Sequence, residues 1–299
     1  MRLWSTVPRG TRDRVAGVVP TWAWRWLRQL REVELDRRWN AGLALRAAYP
    51  ELVADAGLPL EAHEARVYSQ NGEDGLIAHL LSQIGRTNGL FVEFGVEDGR
   101  ECNTAALARL FGWRGLLMEA DPACARAAAD FFAAYPGVKV AHEMVTPETI
   151  DLLLRRHGIE GPIDVLSLDI DGNDLWVWRA IREIRPRLVV IEYNASFGPT
   201  RSVSVPYETG FDRYAKHASG FYHGASLTAL AKVAAEKGYV LAGCDSRGSN
   251  AFFVEHDAAT AAEVEAVEPA VAFRPLWERA HLTVEKQFEQ VAHLPLVEI

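Results

Sequence analysis

The chain has 299 residues, of which 49% are hydrophobic and 24% are charged, and its net charge is −8 at pH 7. This composition is typical of a folded globular protein and excludes a disordered chain. The acidic balance excludes a nucleic-acid partner held mainly by electrostatic attraction, because such binding needs a basic surface.

Three cysteines, Cys102, Cys124 and Cys244, are widely spaced and form no CxxC pair. We therefore expect neither a disulfide framework nor a zinc site, and this usage favours the reducing cytoplasm. No run of about 18 apolar residues predicts a membrane span. The N-terminal pattern is not that of a signal peptide.

The first 65 residues form a predicted arm that is rich in tryptophan and arginine, with a helix over 21–48. This mixture is typical of a helix that lies on a membrane surface or binds a partner. The alternative is an arm that packs on its own domain or on a second subunit of a homo-oligomer. The sequence leaves a peripheral membrane location and a subunit contact both open.

One domain is predicted over 66–256, where strand and helix patterns alternate. The predicted strands cover 89–93, 115–119, 138–141, 163–168, 188–191, 239–243 and 251–254. Helices are predicted between them over 74–84, 102–111, 122–134, 146–157, 174–184 and 226–237. This alternation predicts an α/β fold with a parallel sheet, closed by a hairpin whose last strand is antiparallel. Ligands of such sheets bind at the carboxyl ends of the strands.

Two further segments complete the predicted organisation. The long segment 193–225 contains proline, glycine and several aromatic residues, which is typical of a lid or binding loop. The tail 257–299 is rich in alanine and glutamate and is predicted to be helical, and its sequence is uninformative about chemistry.

The first strand leads into a glycine-bearing turn at Gly95, where a backbone can approach a ligand closely. Glu93, at the end of that strand, and Glu97 beyond the turn make the region acidic. Acids here would repel a pyrophosphate, but they suit the sulfonium and ammonium of S-adenosylmethionine (SAM). The next strand ends in Glu119, which can accept hydrogen bonds from both ribose hydroxyls. Asp121 either assists it or starts the next helix.

Residues 68–255 resemble the class I methyltransferases, and within them the FkbM-type branch, which is linked to O-methylation of sugars and natural products. The resemblance is carried by five motifs: Ser69-Gln70-Asn71-Gly72-Glu73-Asp74, Val92-Glu93-Phe94-Gly95, Met118-Glu119-Ala120-Asp121, Leu168-Asp169-Ile170-Asp171-Gly172-Asn173-Asp174 and Asn250-Ala251-Phe252-Phe253. It implies a Rossmann-like sheet of seven mostly parallel strands in the order 3-2-1-4-5-7-6, with helices on both faces. It also places Gln70 and Asn71 near the methionine end of SAM. Glu97 departs from the family, which usually has a second glycine there.

The fourth and fifth strands end in polar side chains that should share one edge of the sheet: Asp169, Asp171, Asp174, Glu192 and Asn194. Such oxygens are ligands for Mg²⁺ or Mn²⁺, and a bound ion would lower the pKa of an acceptor hydroxyl. We therefore consider a metal held by Asp169, Glu192 and Asn194. The alternative is that 171–174 form a turn and a helix cap without any ion.

Methyl transfer to oxygen needs a group that takes up the hydroxyl proton. Asp169 and His223, which follows the long segment, are the two candidate bases, and Asp169 is also expected beside the cofactor. The sequence thus predicts a SAM-dependent O-methyltransferase whose acceptor is a hydroxyl of a carbohydrate, glycan or polyhydroxylated small molecule. The alternatives are a non-catalytic cofactor-binding scaffold and an NAD-dependent oxidoreductase.

Overall fold

The computed structural model describes residues 58–299, so the predicted helix 21–48 and most of the arm lie outside the described residues. The elements that build the main domain alternate as the sequence predicts. They are α1 Glu73–Ile84, β1 Leu90–Phe94, α2 Ala105–Phe111, β2 Arg114–Glu119, α3 Pro122–Phe132, β3 Val138–His142, α4 Ile150–Arg156, β4 Gly161–Leu168, α5 Asp174–Ala180, β5 Ile184–Glu192, β6 Val203–Ser204, α6 Arg213–Lys216, α7 Leu227–Lys237, β7 Tyr239–Cys244 and β8 Asn250–Glu255. The tail adds α8 His256–Ala261, α9 Pro269–Ala272, α10 Val284–Glu289 and β9 Val297–Glu298.

The main sheet has seven strands in the order β3-β2-β1-β4-β5-β8-β7. Strands β1 to β5 are parallel, and β8 runs antiparallel to both β5 and β7. The short β6 pairs with β9 in a separate sheet, so the seven main strands alone follow the order 3-2-1-4-5-7-6. The predicted topology, including the antiparallel last strand, is confirmed.

Alternate residues of each buried strand pack into two separate cores. In β5, Val189 and Ile191 belong to one core and Leu188 and Val190 to the other. Helices α4, α5 and α7 cover the first face, while α1, α2 and α3 cover the second. A parallel sheet buried on both faces accounts for strands that are apolar throughout.

A third apolar cluster joins the long segment 193–225 to the tail through buried Phe197, Phe221 and Val291. The segment contains β6, α6 and a 3-10 turn at Ala195–Phe197, so part of it has regular secondary structure. No helix within residues 58–299 is long and apolar enough to cross a membrane.

Candidate active site

The strand order reverses between β1 and β4, and Gly95 lies at this point. Its φ is 73°, and a Cβ here would lie 1.7 Å from the carbonyl oxygen of Asp169. A hydrogen bond of 3.2 Å from the Asp169 N–H to the Phe94 carbonyl also joins the ends of β1 and β4. Only glycine allows this approach, and it brings the turn after β1 against the end of β4, where ligands of open α/β sheets bind.

The turn after Gly95 keeps a glycine-like backbone at Glu97, whose φ is 45°. The Glu97 N–H donates to Glu119 Oε2 at 2.8 Å, which fixes the turn against the end of β2. A left-handed backbone costs a non-glycine residue about 1–2 kcal/mol. The departure from the family glycine therefore changes the side chain and leaves the turn in place.

Glu93 holds the start of α2. Its carboxylate accepts the N–H groups of Asn103 at 2.8 Å and Thr104 at 3.0 Å, together with the Thr104 hydroxyl. Burial raises the pKa of Glu93 against the opposing effect of these donors. The structure thus gives Glu93 a bracing role behind the turn, whereas the sequence predicted contact with the cofactor.

The two acids after β2 have different roles. Glu119 accepts from the Glu97 N–H through one oxygen and from the Asp121 N–H, at 2.8 Å, through the other. Each oxygen can accept a second hydrogen bond, so Glu119 remains able to bind ribose hydroxyls. Asp121 caps α3 by accepting the N–H groups of Ala123 and Cys124, which lower its pKa. This capping agrees with the alternative that Asp121 starts the next helix.

The loop before α1 reaches the same edge of the sheet. Asp74 Oδ2 accepts the N–H groups of Tyr68 and Ser69, which shapes the loop. Asn71 donates to Ser249 Oγ at 3.2 Å, in the turn before β8. The side chain of Gln70 is exposed and makes no hydrogen bond to the described residues. Asn71 is therefore built into the site edge, and Gln70 is accessible to a ligand.

Asp169 differs from the other acids because no described residue donates a hydrogen bond to its carboxylate. Desolvation by the surrounding protein, followed by the charge of Glu192, raises the pKa of Asp169 well above its usual range. The residue nevertheless remains exposed to solvent. Asp174, in contrast, accepts the N–H groups of Ile170 and Gly172 and closes the turn after β4. Burial and Glu192 raise the pKa of Asp174 to about 7.

His223 is buried and receives two arginines on one nitrogen. Arg213 Nη2 lies 3.0 Å and Arg279 Nη2 3.3 Å from its Nε2. Because guanidinium groups only donate, Nε2 accepts, and the ring proton is on Nδ1, which lies 3.5 Å from Glu192 Oε2. Burial, with the charges of both arginines, lowers the pKa of His223. The lone pair of Nε2 is thus occupied, which contradicts the predicted role of His223 as the base.

Glu192 lies beside Arg213 and the Nδ1 of His223. Burial opposes its ionisation, but the interactions with His223 and Arg213 outweigh that effect and lower the pKa of Glu192 to about 2. Arg213 Nη1 is 3.7 Å from Glu192 Oε1 and also forms an ion pair with Asp171.

Asn194 does not join the predicted metal ligands. Its amide donates to the carbonyls of Phe221 at 2.7 Å and His223 at 2.8 Å, and its oxygen accepts from the Ser196 N–H. The side chain holds the loop that carries His223. The predicted ligand set is therefore wrong at Asn194.

The carboxylates of Asp169, Asp171 and Glu192 each offer an oxygen within 4.8 Å of the others, which is the spacing of a small cation site. Arg213 already contacts Asp171 and Glu192. The guanidinium thus lies beside two of the three carboxylates that would hold a divalent ion. The structure thus supplies a protein cation where the sequence suggested Mg²⁺ or Mn²⁺.

Arg213 and Arg279 are the site residues that sequence reasoning missed. Arg213 begins α6 in the long segment, which was predicted to bind or cover a ligand. Arg279 comes from the tail and donates to Ser196 Oγ at 2.8 Å. The composition of the tail gave no signal for this contact.

Solved structures with a similar arrangement of elements include several methyltransferases. A candidate caffeoyl-CoA O-methyltransferase from Staphylococcus aureus is 11% identical, with a TM-score of 0.46, and the match covers 77% of this chain and 99% of that chain. An O-methyltransferase from Bacillus cereus in complex with SAH is 17% identical, with a TM-score of 0.39 and coverage of 73% and 97%. The O-methyltransferase TomG from Streptomyces achromogenes, solved with SAM, is 17% identical, with a TM-score of 0.37 and coverage of 73% and 96%.

No protein-family model and no curated protein matches the chain. The FkbM-type branch therefore stays a prediction. The chain has the seven-strand α/β sheet implied by its resemblance to the class I methyltransferases.

Proposed function

We propose that this chain is a SAM-dependent O-methyltransferase that acts on a hydroxyl of a carbohydrate or polyhydroxylated small molecule. The observation that carries the proposal is the Asp169 carboxylate, which lies at the switch point of the sheet, open to solvent and without a donor among the described residues. Ligands of open α/β sheets bind at the carboxyl ends of the strands where the order reverses, so a carboxylate that no protein group occupies there is available to a ligand.

The cofactor half of the proposal rests on the ends of β1 and β2. Gly95 allows close approach, and Glu119 presents oxygens to a ribose. The acids Glu97 and Asp98 precede α2 and disfavour the pyrophosphate of a dinucleotide. SAM supplies a methyl group on a positively charged sulfur, which this acidic turn tolerates.

The acceptor half of the proposal rests on the ends of β4 and β5. Asp169 is the residue that takes the proton from an acceptor hydroxyl, because its carboxylate lies at this edge of the sheet and no described residue donates a hydrogen bond to it. Glu192 stays ionised beside Arg213 and His223 and offers hydrogen-bond acceptors for further hydroxyls. A site rich in such acceptors favours a polyhydroxylated molecule.

The test is transfer of an isotope-labelled methyl group from SAM to a panel of sugars and polyols. Asp169→Asn should lose about a hundredfold or more in turnover, because the amide cannot take up a proton. Its affinity for S-adenosylhomocysteine should stay within about threefold, since the change equals less than 1 kcal/mol. The matched control is Asp257→Asn, whose side chain is 92% exposed on α8. Wild-type turnover in Asp169→Asn would contradict the proposal.

A further inference from the structure

Arg213 is held at the centre of the acceptor half by four contacts. Its Nη1 pairs with Asp171 and lies 3.7 Å from Glu192, and its Nη2 lies 3.0 Å from His223 Nε2. Its Nε donates to the Gly220 carbonyl at 3.4 Å. The side chain is only 15% exposed. These contacts fix the plane of the guanidinium from three sides.

Three carboxylates lie around this position. Asp169, Asp171 and Glu192 each place an oxygen within 4.8 Å of the others, and a neighbouring cation reduces the repulsion between their charges. Arg279 contacts the same nitrogen of His223, at 3.3 Å, and forms no ion pair with these three carboxylates among the described residues. Arg213 is thus the cation in direct contact with the carboxylates among the described residues.

A divalent ion and this guanidinium exclude each other. An ion bound by all three carboxylates would lie next to the groups that Arg213 Nη1 contacts, so Arg213 would have to leave. Its departure would also remove one donor from the buried His223 and one from the Gly220 carbonyl. Arg279 Nη2 would remain as the one arginine donor to both groups, at 3.3 Å from His223 Nε2 and 3.2 Å from the Gly220 carbonyl oxygen.

We propose that Arg213 is the resident cation of the acceptor site, a positioning residue that takes the place of a divalent metal ion. This inference rests on the proposed function and makes that reaction independent of metal. The guanidinium neutralises Asp171 and Glu192 and fixes the orientation of Glu192 and His223. An acceptor is then recognised by hydrogen bonds, and chelation of two neighbouring hydroxyls by an ion is not required.

The test measures Mn²⁺ binding through the electron paramagnetic resonance signal of the free ion, which does not depend on turnover. The wild-type protein should show no saturable site, whereas Arg213→Met should bind one Mn²⁺. Glu192→Gln added to Arg213→Met should abolish that binding. Arg213→Lys keeps the charge and should bind no ion. The control Lys216→Met lies on the same helix, in a surface ion pair with Glu208, and should behave as the wild type.

Turnover supplies a second measurement. Wild-type turnover should be unchanged in EDTA, and Arg213→Met should lose about a hundredfold in kcat through misplacement of the site groups. A saturable Mn²⁺ site in the wild type that Glu192→Gln removes, or loss of wild-type turnover in EDTA, would overturn the inference. If Arg213→Met does not fold, the wild-type titration still decides. Failure of S-adenosylhomocysteine to bind would overturn the proposed function, and the Mn²⁺ comparison would still test Arg213.

Discussion

The carboxylates of the site differ in the groups that donate hydrogen bonds to them. Glu93 and Asp174 accept backbone N–H groups and hold turns in place. Asp169 and Glu192 accept none from the described backbone and face the edge of the sheet where ligands bind. Residue type alone does not separate these roles, because both groups consist of acids at strand ends. The separation depends on which backbone groups the fold brings near each side chain.

At Gly95, we predict that alanine abolishes binding of S-adenosylhomocysteine, because its Cβ would lie 1.7 Å from the Asp169 carbonyl oxygen. The matched control is Gly112→Ala, where φ is 69° and nothing lies within 4 Å of the new Cβ. The control should cost about 1–2 kcal/mol of unfolding free energy from the left-handed backbone alone. Denaturant unfolding and calorimetry measure both effects, and equal losses in the two variants would contradict the argument from close approach.

At Glu119, we predict that alanine raises the Kd for S-adenosylhomocysteine about tenfold or more, because a charged hydrogen-bond acceptor is lost. Asp121→Ala removes only the cap of α3 and should cost about 1 kcal/mol of stability. Its Kd should stay near that of the wild type. Calorimetric titration of both variants checks this, and a larger loss of affinity in Asp121→Ala would restore the cofactor role that the sequence suggested for Asp121.

At the scale of elements, the turn between β7 and β8 is organised by one buried acid. Asp245 accepts the N–H groups of Arg247 at 2.8 Å and Ser249 at 3.1 Å. Burial and the charge of Glu73 raise the pKa of Asp245 to about 8. The same turn carries Ser249, which contacts Asn71 at the site. The ionisation of Asp245 is therefore linked to the stability of an element that borders the cofactor region.

The sign of this linkage follows from the raised pKa. Between pH about 4 and about 8 the folded Asp245 keeps a proton that the unfolded chain has lost, so its contribution to stability declines as pH rises. The side chain of Asp245→Asn cannot titrate. We predict that this variant removes up to about 1.4 kcal/mol per pH unit from the slope of the unfolding free energy against pH. Urea unfolding across this range measures it, with Asp257→Asn as the exposed control. Parallel pH profiles for Asp245→Asn and wild type would contradict the prediction.

The ends of helices and strands are where the local sequence pattern no longer predicts the structure. The helix predicted over 174–184 ends at Ala180, and β5 already begins at Ile184. Asp151 accepts the N–H groups of Arg182 and Glu183 and ends the helical pattern there. Pro186 is tolerated within β5 because β8 pairs with this strand only from Leu188 onward. The terminating contact comes from another helix, so a window of neighbouring residues does not contain it.

At the scale of the whole molecule, the alternation of strands and helices was enough to predict the sheet and the edge at which the site lies. That alternation depends on periodicity, which is local. The partners of the acceptor residues depend on distant contacts. Arg279 reaches Ser196 across 83 positions, and Gln287 reaches the same residue across 91. The tail, whose sequence is uninformative about chemistry, therefore supplies part of the support for His223.

The central claim is that the edge formed by β1, β2, β4 and β5 binds SAM. The most direct test is a calorimetric titration of the wild-type protein with S-adenosylhomocysteine and, in parallel, with NAD. We predict one saturable site for S-adenosylhomocysteine and none for NAD, because the acidic turn after β1 disfavours a pyrophosphate. Binding of NAD, or no binding of S-adenosylhomocysteine, would contradict the account.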